Sequence, residues 1–399
     1  MSLPTYEQPK KSWLSLPTNP VTRLKQSLFF NVQNSPYTRS RDEILREIDT
    51  RHRHDTQEFL ELQKAAVDLV AVGELSGTYK TVDYVIPEPE KDKGQGGDND
   101  DSEDDSDDDE VVEAGPSGGA IEEAIPEASS SLAGPSGSGR EGLFRPCSEE
   151  SYELLSYLPL PFTKPCTVYR TGYVCEAAAS VLNALLGFNV VPLTRVTSVK
   201  DKLGSLLELD DDAIAAFEYF KANGEENTPE WLNLEIQKLA VVDWLCRNMN
   251  RTPGNWYINT ATEQIHGNGL DTGYDSCFPY KHPWMFRWNL PGKVTSAPWS
   301  EEIRARVVPL LTSQEWWQVA SDALYHTFFD NHDDFEEGFW NSQWAIFRGQ
   351  AYLLLSNLLR KDSTPDDLSR GHPKLMIAYD GGMDKAQRGV ELYIEPKGK

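Results

Sequence analysis

One stretch of this chain sets the terms for the rest. Residues 88–141 open with EPEKDKGQGGDNDDSEDDSDDDE and run on into Gly, Pro, Ser and Ala, with 18 Asp and Glu against 3 Lys and Arg. Such a composition buries too little apolar surface to offset the entropy of ordering, so disorder is expected there. Strand-like composition stands on both sides, in AVGELSGTYKTVDYVIP (71–87) and EGLFRPCSEE (141–150). The folded unit therefore has to close across the segment, which makes it a loop insertion rather than a domain boundary. Loop-closure cost rises only with the logarithm of length, so the insertion is tolerable. It carries −15 of the chain's net −25, which leaves −10 on the other 345 residues. Ser102 and Ser106 lie among acids and suit an acid-directed kinase.

Several classes drop out. No stretch approaches the roughly 18 uncharged apolar residues of a spanning helix. The N-terminus lacks an apolar run followed by a small-residue cleavage site, so secretion is not expected. The acidic balance argues against nucleic acid as the main partner. The five cysteines, Cys147, Cys166, Cys175, Cys246 and Cys277, contain no Cys-x-x-Cys pair. They read as reduced, mostly buried thiols, not as a disulfide framework or a zinc site.

Residues 1–40 read as a flexible leader and 41–69 as helical. Residues 71–87 surround a Gly-containing turn and read as a hairpin. GYVCEAAASVLNALLGF (172–188) has helical periodicity, with Gly187 as the stop. NVVPLTRVTSV (189–199) and KLGSLLEL (202–209) read as strands, and 229–249 as a long apolar helix. Helices return over 300–311 and 343–361. Strands with one helix, then mostly helices, predict an α+β protein.

The chemistry concentrates in VVDWLCRNMNRTPGNWYIN (241–259). A helix delivers Asp243, Arg247 and Asn248, and a turn follows with Asn250, Arg251, Pro253, Gly254 and Asn255. Phosphoryl transfer needs a group that orients the attacking hydroxyl, a side-chain oxygen for Mg²⁺ a few residues on, and a second metal-binding Asp on a later loop. Asn255 suits the first metal role. Asp271, in GNGLDTGYDSCFPYKHP (267–283), suits the second.

Here the chain resembles the phosphatidylinositol 3/4-kinase superfamily, and most closely the type II phosphatidylinositol 4-kinases. The resemblance covers about 70–361 apart from the acidic insert. GELSGTY (73–79) is similar to the phosphate loop, and LFRPCSEE (143–150) to the strand of the ATP lysine. Residues 172–194 resemble the helix of that lysine's Glu partner, with Glu176 at the Glu. Residues 241–259 resemble the catalytic loop, LDTGYDSCFPYKHP the activation segment with three residues inserted before Phe278, and 335–350 the C-terminal helix.

The resemblance implies a bilobal protein-kinase-like fold. A β-rich N-lobe would span 41–208 and carry the acidic insert, a helical C-lobe 209–375, and an extension 376–399. ATP would lie over Ser76, Gly77 and Thr78, beside Arg145 and Glu176. Mg²⁺, with Mn²⁺ as the alternative, would be held by Asn255 and Asp271. Asn250, Arg251, Asn255 and Asp271 would form the catalytic set. Trp284, Phe286, Arg287 and Trp288 would face lipid, with Lys164 and Arg170 adding charge. The implied reaction passes the γ-phosphoryl of ATP to the 4-hydroxyl of phosphatidylinositol. The implied location is peripheral, on the cytosolic face of Golgi, endosome, vacuole or plasma membrane. The acidic insert offers a tether for protein partners.

Three departures bear on activity. Asn250 stands where the family has its catalytic Asp, and losing a general base typically costs about 10²–10⁴-fold. Arg145 replaces the lysine with a wider, planar fork. Cys166 alone stands in for the palmitoylated cysteines. These departures define the alternative reading, a pseudokinase scaffold. A second alignment sets HGNGL (266–270) at the metal motif, with Gly267 where Asp belongs.

Overall fold

The computed structural model describes residues 142–149, 166–199, 201–210, 212–268, 273–281, 287–369 and 375–377, with parts of 43–64 and 76–86. The acidic insert, the leader 1–40 and most of 376–399 lie outside the described residues, so the disorder expected over 88–141 is untested.

The chain is α+β. One five-stranded antiparallel sheet has the order β1-β2-β3-β5-β4, with β1 Ser76–Gly77, β2 Tyr84–Ile86, β3 Gly142–Pro146, β4 Thr194–Val199 and β5 Lys202–Glu208. β1 and β2 form the expected hairpin. β2 and β3 then pair with Ile86 opposite Gly142, so the insert leaves and re-enters the sheet at one point.

Helix α1, Gly172–Leu186, packs on β4, β5 and the helices behind them. Its small residues Ala177, Ala178 and Ala179 are all buried and allow close approach. Gly187 ends it at φ 65, a left-handed conformation that glycine adopts without steric cost. The strand expected over 189–199 starts only at Thr194. Residues 189–193 instead run as irregular chain, and Asn183 of α1 binds the backbone of Phe188, Val190 and Val191 there.

A small sheet follows, ordered β6-β8-β9, from β6 Ile214–Ala215, β8 Tyr257–Asn259 and β9 Gln264–His266. Helix α2 spans Ala216–Asn223 and α3 spans Glu230–Cys246. From Leu239 to Cys246 every residue of α3 is buried, so the second half of this helix sits in the core, with Asp243 its one charged residue there. The predicted helix to 249 stops at 246, where Arg247 turns left-handed at φ 53. β7 Asn250–Arg251 pairs with β10 Arg287–Trp288. Helices α4 Gly292–Thr295, α5 Glu301–Leu311, α6 Gln314–Phe329, α7 Glu337–Leu358 and α8 Pro365–Ser369 complete the chain. Trp317, Trp344 and Phe347 interlock where α6 meets α7. No helix among the described residues is long and apolar enough to cross a membrane.

Candidate functional site

Strand β3 is buried along its length, and Arg145 is its one charged residue. β5 pairs with it antiparallel, setting Arg145 opposite Ser205 and Pro146 opposite Gly204. A Cβ at Gly204 would stand 2.1 Å from the Arg145 carbonyl oxygen, so only glycine lets the strands close there. Helix α1 turns Glu176 to the same place. Arg145 Nη1 donates to Glu176 Oε1 at 2.7 Å, and Ser205 Oγ donates to Glu176 Oε2 at 2.6 Å. Arg145 is 7% exposed and Glu176 1%, which makes this a nearly dry ion pair. The expected pairing of these two residues is therefore formed.

The loop after α3 is built on a second buried pair. Arg251 grips Asp243 with two nitrogens, Nε to Oδ2 at 2.8 Å and Nη2 to Oδ1 at 2.7 Å. Its remaining nitrogen, Nη1, donates to the carbonyls of Asn255 at 2.9 Å and Gly267 at 2.8 Å. The Tyr274 ring lies 4.8 Å from the guanidinium. Burial alone would lower the Arg251 pKa, but Asp243 outweighs it and holds the guanidinium above its usual value. Burial, with Asp243 adding to it, drives the Tyr274 phenol well up. Arg251 was expected among the catalytic residues. Its side chain is fully buried and ties the loop to residue 267. Asp243, at the end of α3, is the partner that anchors it. Arg247 lies over the Trp244 ring at 5.3 Å, and burial pushes its pKa down to about 10.

Asn250 sits exposed at the rim of the loop, its N–H bonded to Asn248 Oδ1 at 3.1 Å. Asn255 folds back beneath it. Its Nδ2 donates to the Asn250 carbonyl at 2.7 Å, and its Oδ1 accepts from the Thr252 N–H at 3.0 Å and Arg251 Nη1 at 3.3 Å. Asn248 Nδ2 reaches Asp243 at 3.1 Å and the Gly273 carbonyl at 2.7 Å. The loop is thus shaped by carboxamides, which bond in two directions where a carboxylate only accepts.

Gly267 and Asn268 bring the two halves together. The Gly267 carbonyl rests on Arg251, while Asn268 Oδ1 accepts from Arg145 Nη1 at 3.1 Å and from the Gly273 N–H at 2.9 Å. A Cβ at Gly267 would meet Leu239 Cδ1 at 2.7 Å, the Tyr274 hydroxyl at 2.8 Å and the Val190 carbonyl at 3.0 Å. That position therefore admits no side chain. Asp271, Thr78, Trp284 and Phe286 lie outside the described residues. Ser76 and Gly77 form β1, and only their backbone is described. β10 runs parallel to β7, placing Arg287 opposite Asn250 and Trp288 opposite Arg251. The end of the segment expected to face lipid thus lies beside the loop. Of the two added basic residues, Arg170 is exposed over the half-exposed Tyr169 ring, and Lys164 lies outside the described residues. Lys281 lies over Tyr280, whose N–H binds the Cys166 carbonyl.

Sequence reasoning missed Asn268 and Ser205. For Ser205 the signal was a polar residue inside an apolar strand. His266 Nε2 meets Asp210 Oδ2 at 2.8 Å, and Asn259 Nδ2 donates to both Asp210 oxygens. The bond with His266, aided by Asn259, holds the Asp210 carboxyl below its usual range although partial burial opposes this.

The donor set fits a nucleotide's phosphates, with a carboxylate-supported guanidinium beside a loop of carboxamides. It fits a divalent ion less well. The Asn255 oxygen already accepts two N–H donors. Among the described residues no three His, Cys, Asp or Glu side chains are grouped to hold a metal. The ion expected here rests on Asp271.

No protein-family profile matches the chain. Curated relatives do. Phosphatidylinositol 4-kinase LSB6 of Saccharomyces cerevisiae is 25% identical, over 57% of this chain and 54% of its own length. Phosphatidylinositol 4-kinase type 2-alpha of Danio rerio is 26% identical, over 59% of this chain and 68% of its own. Phosphatidylinositol 4-kinase type 2-beta of Xenopus tropicalis is 25% identical, over 57% and 61%. The chain thus spans between about half and two thirds of the length of these relatives. These matches make the chain a relative of the type II phosphatidylinositol 4-kinases.

Proposed function

We propose that this protein is an ATP-dependent phosphatidylinositol 4-kinase working at a membrane surface. The observation that carries the reading is the meeting of Arg145, Glu176 and Asn268 with the loop that presents Asn250. Two lobes would form the cleft, with the sheet β1–β5 in one and the helices after residue 209 in the other.

ATP would supply the phosphoryl group, and a bound divalent ion, Mg²⁺ or Mn²⁺, would neutralise charge on it. Asp271 is the side chain that would hold that ion, and Asn255 would join it by giving up one of its two N–H partners. Arg145 offers its guanidinium to phosphate oxygens, with Glu176 fixing where that charge stands. Asn250 orients the attacking inositol hydroxyl by hydrogen bonding and takes no proton, since a carboxamide is no base near neutral pH; the hydroxyl proton passes through the transferred phosphoryl oxygens to water as ADP leaves. Phosphoryl transfer passes through a loose transition state that depends mainly on positioning, so loss of the carboxylate slows the reaction without abolishing it. Placement of Arg287 and Trp288 beside Asn250 supports a substrate presented at a lipid surface. The choice of the 4-hydroxyl rests on the relatives.

The test is transfer from ATP to phosphatidylinositol vesicles by the purified full chain. Turnover that vanishes with Asp271→Ala and rises about 10²–10⁴-fold with Asn250→Asp is expected. A parent without turnover, rescued only by Asn250→Asp, would move the chain to the scaffold reading.

A further inference from the structure

The arginine at the position of the ATP lysine poses a geometric problem. A lysine ammonium is a point charge, and one carboxylate is enough to place it. A guanidinium is a planar fork, and its direction as well as its position decides which phosphate oxygens it reaches. A single hydrogen bond fixes where one nitrogen of such a fork stands but not the plane of the fork.

We propose that Asn268 is the positioning residue that fixes the plane of the Arg145 guanidinium, and that use of arginine here depends on it. The proposal rests on the nucleotide-binding reading above. Both contacts fall on the same terminal nitrogen, Glu176 Oε1 at 2.7 Å and Asn268 Oδ1 at 3.1 Å. With both N–H directions of Nη1 set, the plane of the fork is set. Each acceptor is itself held. Ser205 Oγ donates to the second Glu176 oxygen at 2.6 Å, and the Gly273 N–H donates to Asn268 Oδ1 at 2.9 Å. Asn268 is 1% exposed and Ser205 fully buried, so water does not substitute for either contact. The neutrality of Asn268 matters as well. It orients the cation without adding a second negative charge beside the phosphates, which an aspartate would do.

A two-by-two cycle on the full chain tests this, crossing Arg145→Lys with Asn268→Ala. Two quantities are read, the affinity for a fluorescent ATP analogue without metal and the melting temperature without nucleotide. Asn268→Ala also removes the Gly273 contact, but that loss is common to both backgrounds and cancels in the cycle. Asn268→Ala is expected to weaken nucleotide binding about ten-fold beside arginine and less than about two-fold in the Arg145→Lys background, with melting shifts likewise non-additive. Asn268→Asp keeps both contacts, so it should hold the melting temperature while binding nucleotide more weakly. If Asn268→Ala does not fold, Asn268→Ser carries the cycle. Equal fold-losses in the two backgrounds, in a parent that binds nucleotide and turns over, overturn this proposal alone. A parent that binds no nucleotide overturns the kinase reading with it.

Discussion

At the scale of single residues, the site is held by charges that cannot be removed one at a time. Asp243 and Arg251 are both fully buried, and each is the other's compensation. Asp243→Ala would strand a guanidinium in the core, and breaking such a pair typically costs about 3–5 kcal/mol. Urea unfolding should show a loss of that size, with Asp243→Asn intermediate. A loss below about 1 kcal/mol would mean that the guanidinium is satisfied elsewhere. Asp210 makes a pH prediction. Its folded pKa is depressed, so its contribution to stability is present above the unfolded carboxyl value near 4 and is lost as pH falls through the lower folded value. Asp210→Asn should therefore lower the melting temperature at pH 7. It should also flatten the parent's decline below about pH 4, as followed by circular dichroism across a pH series. An unchanged acid slope would remove Asp210 from the clasp. Of these residues, Glu176 and Arg145 were singled out through the family resemblance, which places each within its own motif. Asn268 was not, because its partner lies 123 positions away.

At the scale of elements, the helix ends decide where functional groups stand. Gly187 closes α1 in a left-handed conformation, and Arg306 of α5 binds the carbonyls of Leu186 and Gly187 just there. Glu47, from the helical residues near the N-terminus, pairs with the same arginine. Gly187→Ala should cost roughly 1–2 kcal/mol from backbone strain. A Cβ there would stand 1.7 Å from Arg306 Nη2, so the arginine must also move. Chemical denaturation checks the cost, and loss of the Glu47 pair should appear as faster proteolysis near the N-terminus. Sequence pattern gave the type of α1, α3, α5 and α7 and did not single out α6. It overran the end of α3 by three residues, because nothing local marks Arg247 as a left-handed stop. That conformation is bought by burial against Trp244 and by the loop behind it.

At the scale of the whole molecule, the chain outside 89–139 forms one compact unit. Replacing residues 89–139 with a linker of about six residues should leave that unit folded, and shortening the loop should stabilise it by up to about 2 kcal/mol. Differential scanning calorimetry would read this as an equal or slightly raised melting temperature. A clear fall would show that the insert contributes to the fold. Vesicle binding by the same variant separates a tethering role of the insert from a structural one.

The sequence by itself determined the α+β order of elements, the hairpin, the helix that carries Glu176, and the chemical type of the loop at 250–255. Those are properties of neighbours in the chain, written in periodicity, turn residues and motif spacing. Only the tertiary structure decided that Arg251 is a buried strut, that Gly267 has no room for a side chain, and that Asn268 stands against Arg145. Burial and hydrogen-bond direction depend on which distant elements close over a residue. A list of residue types does not contain that information.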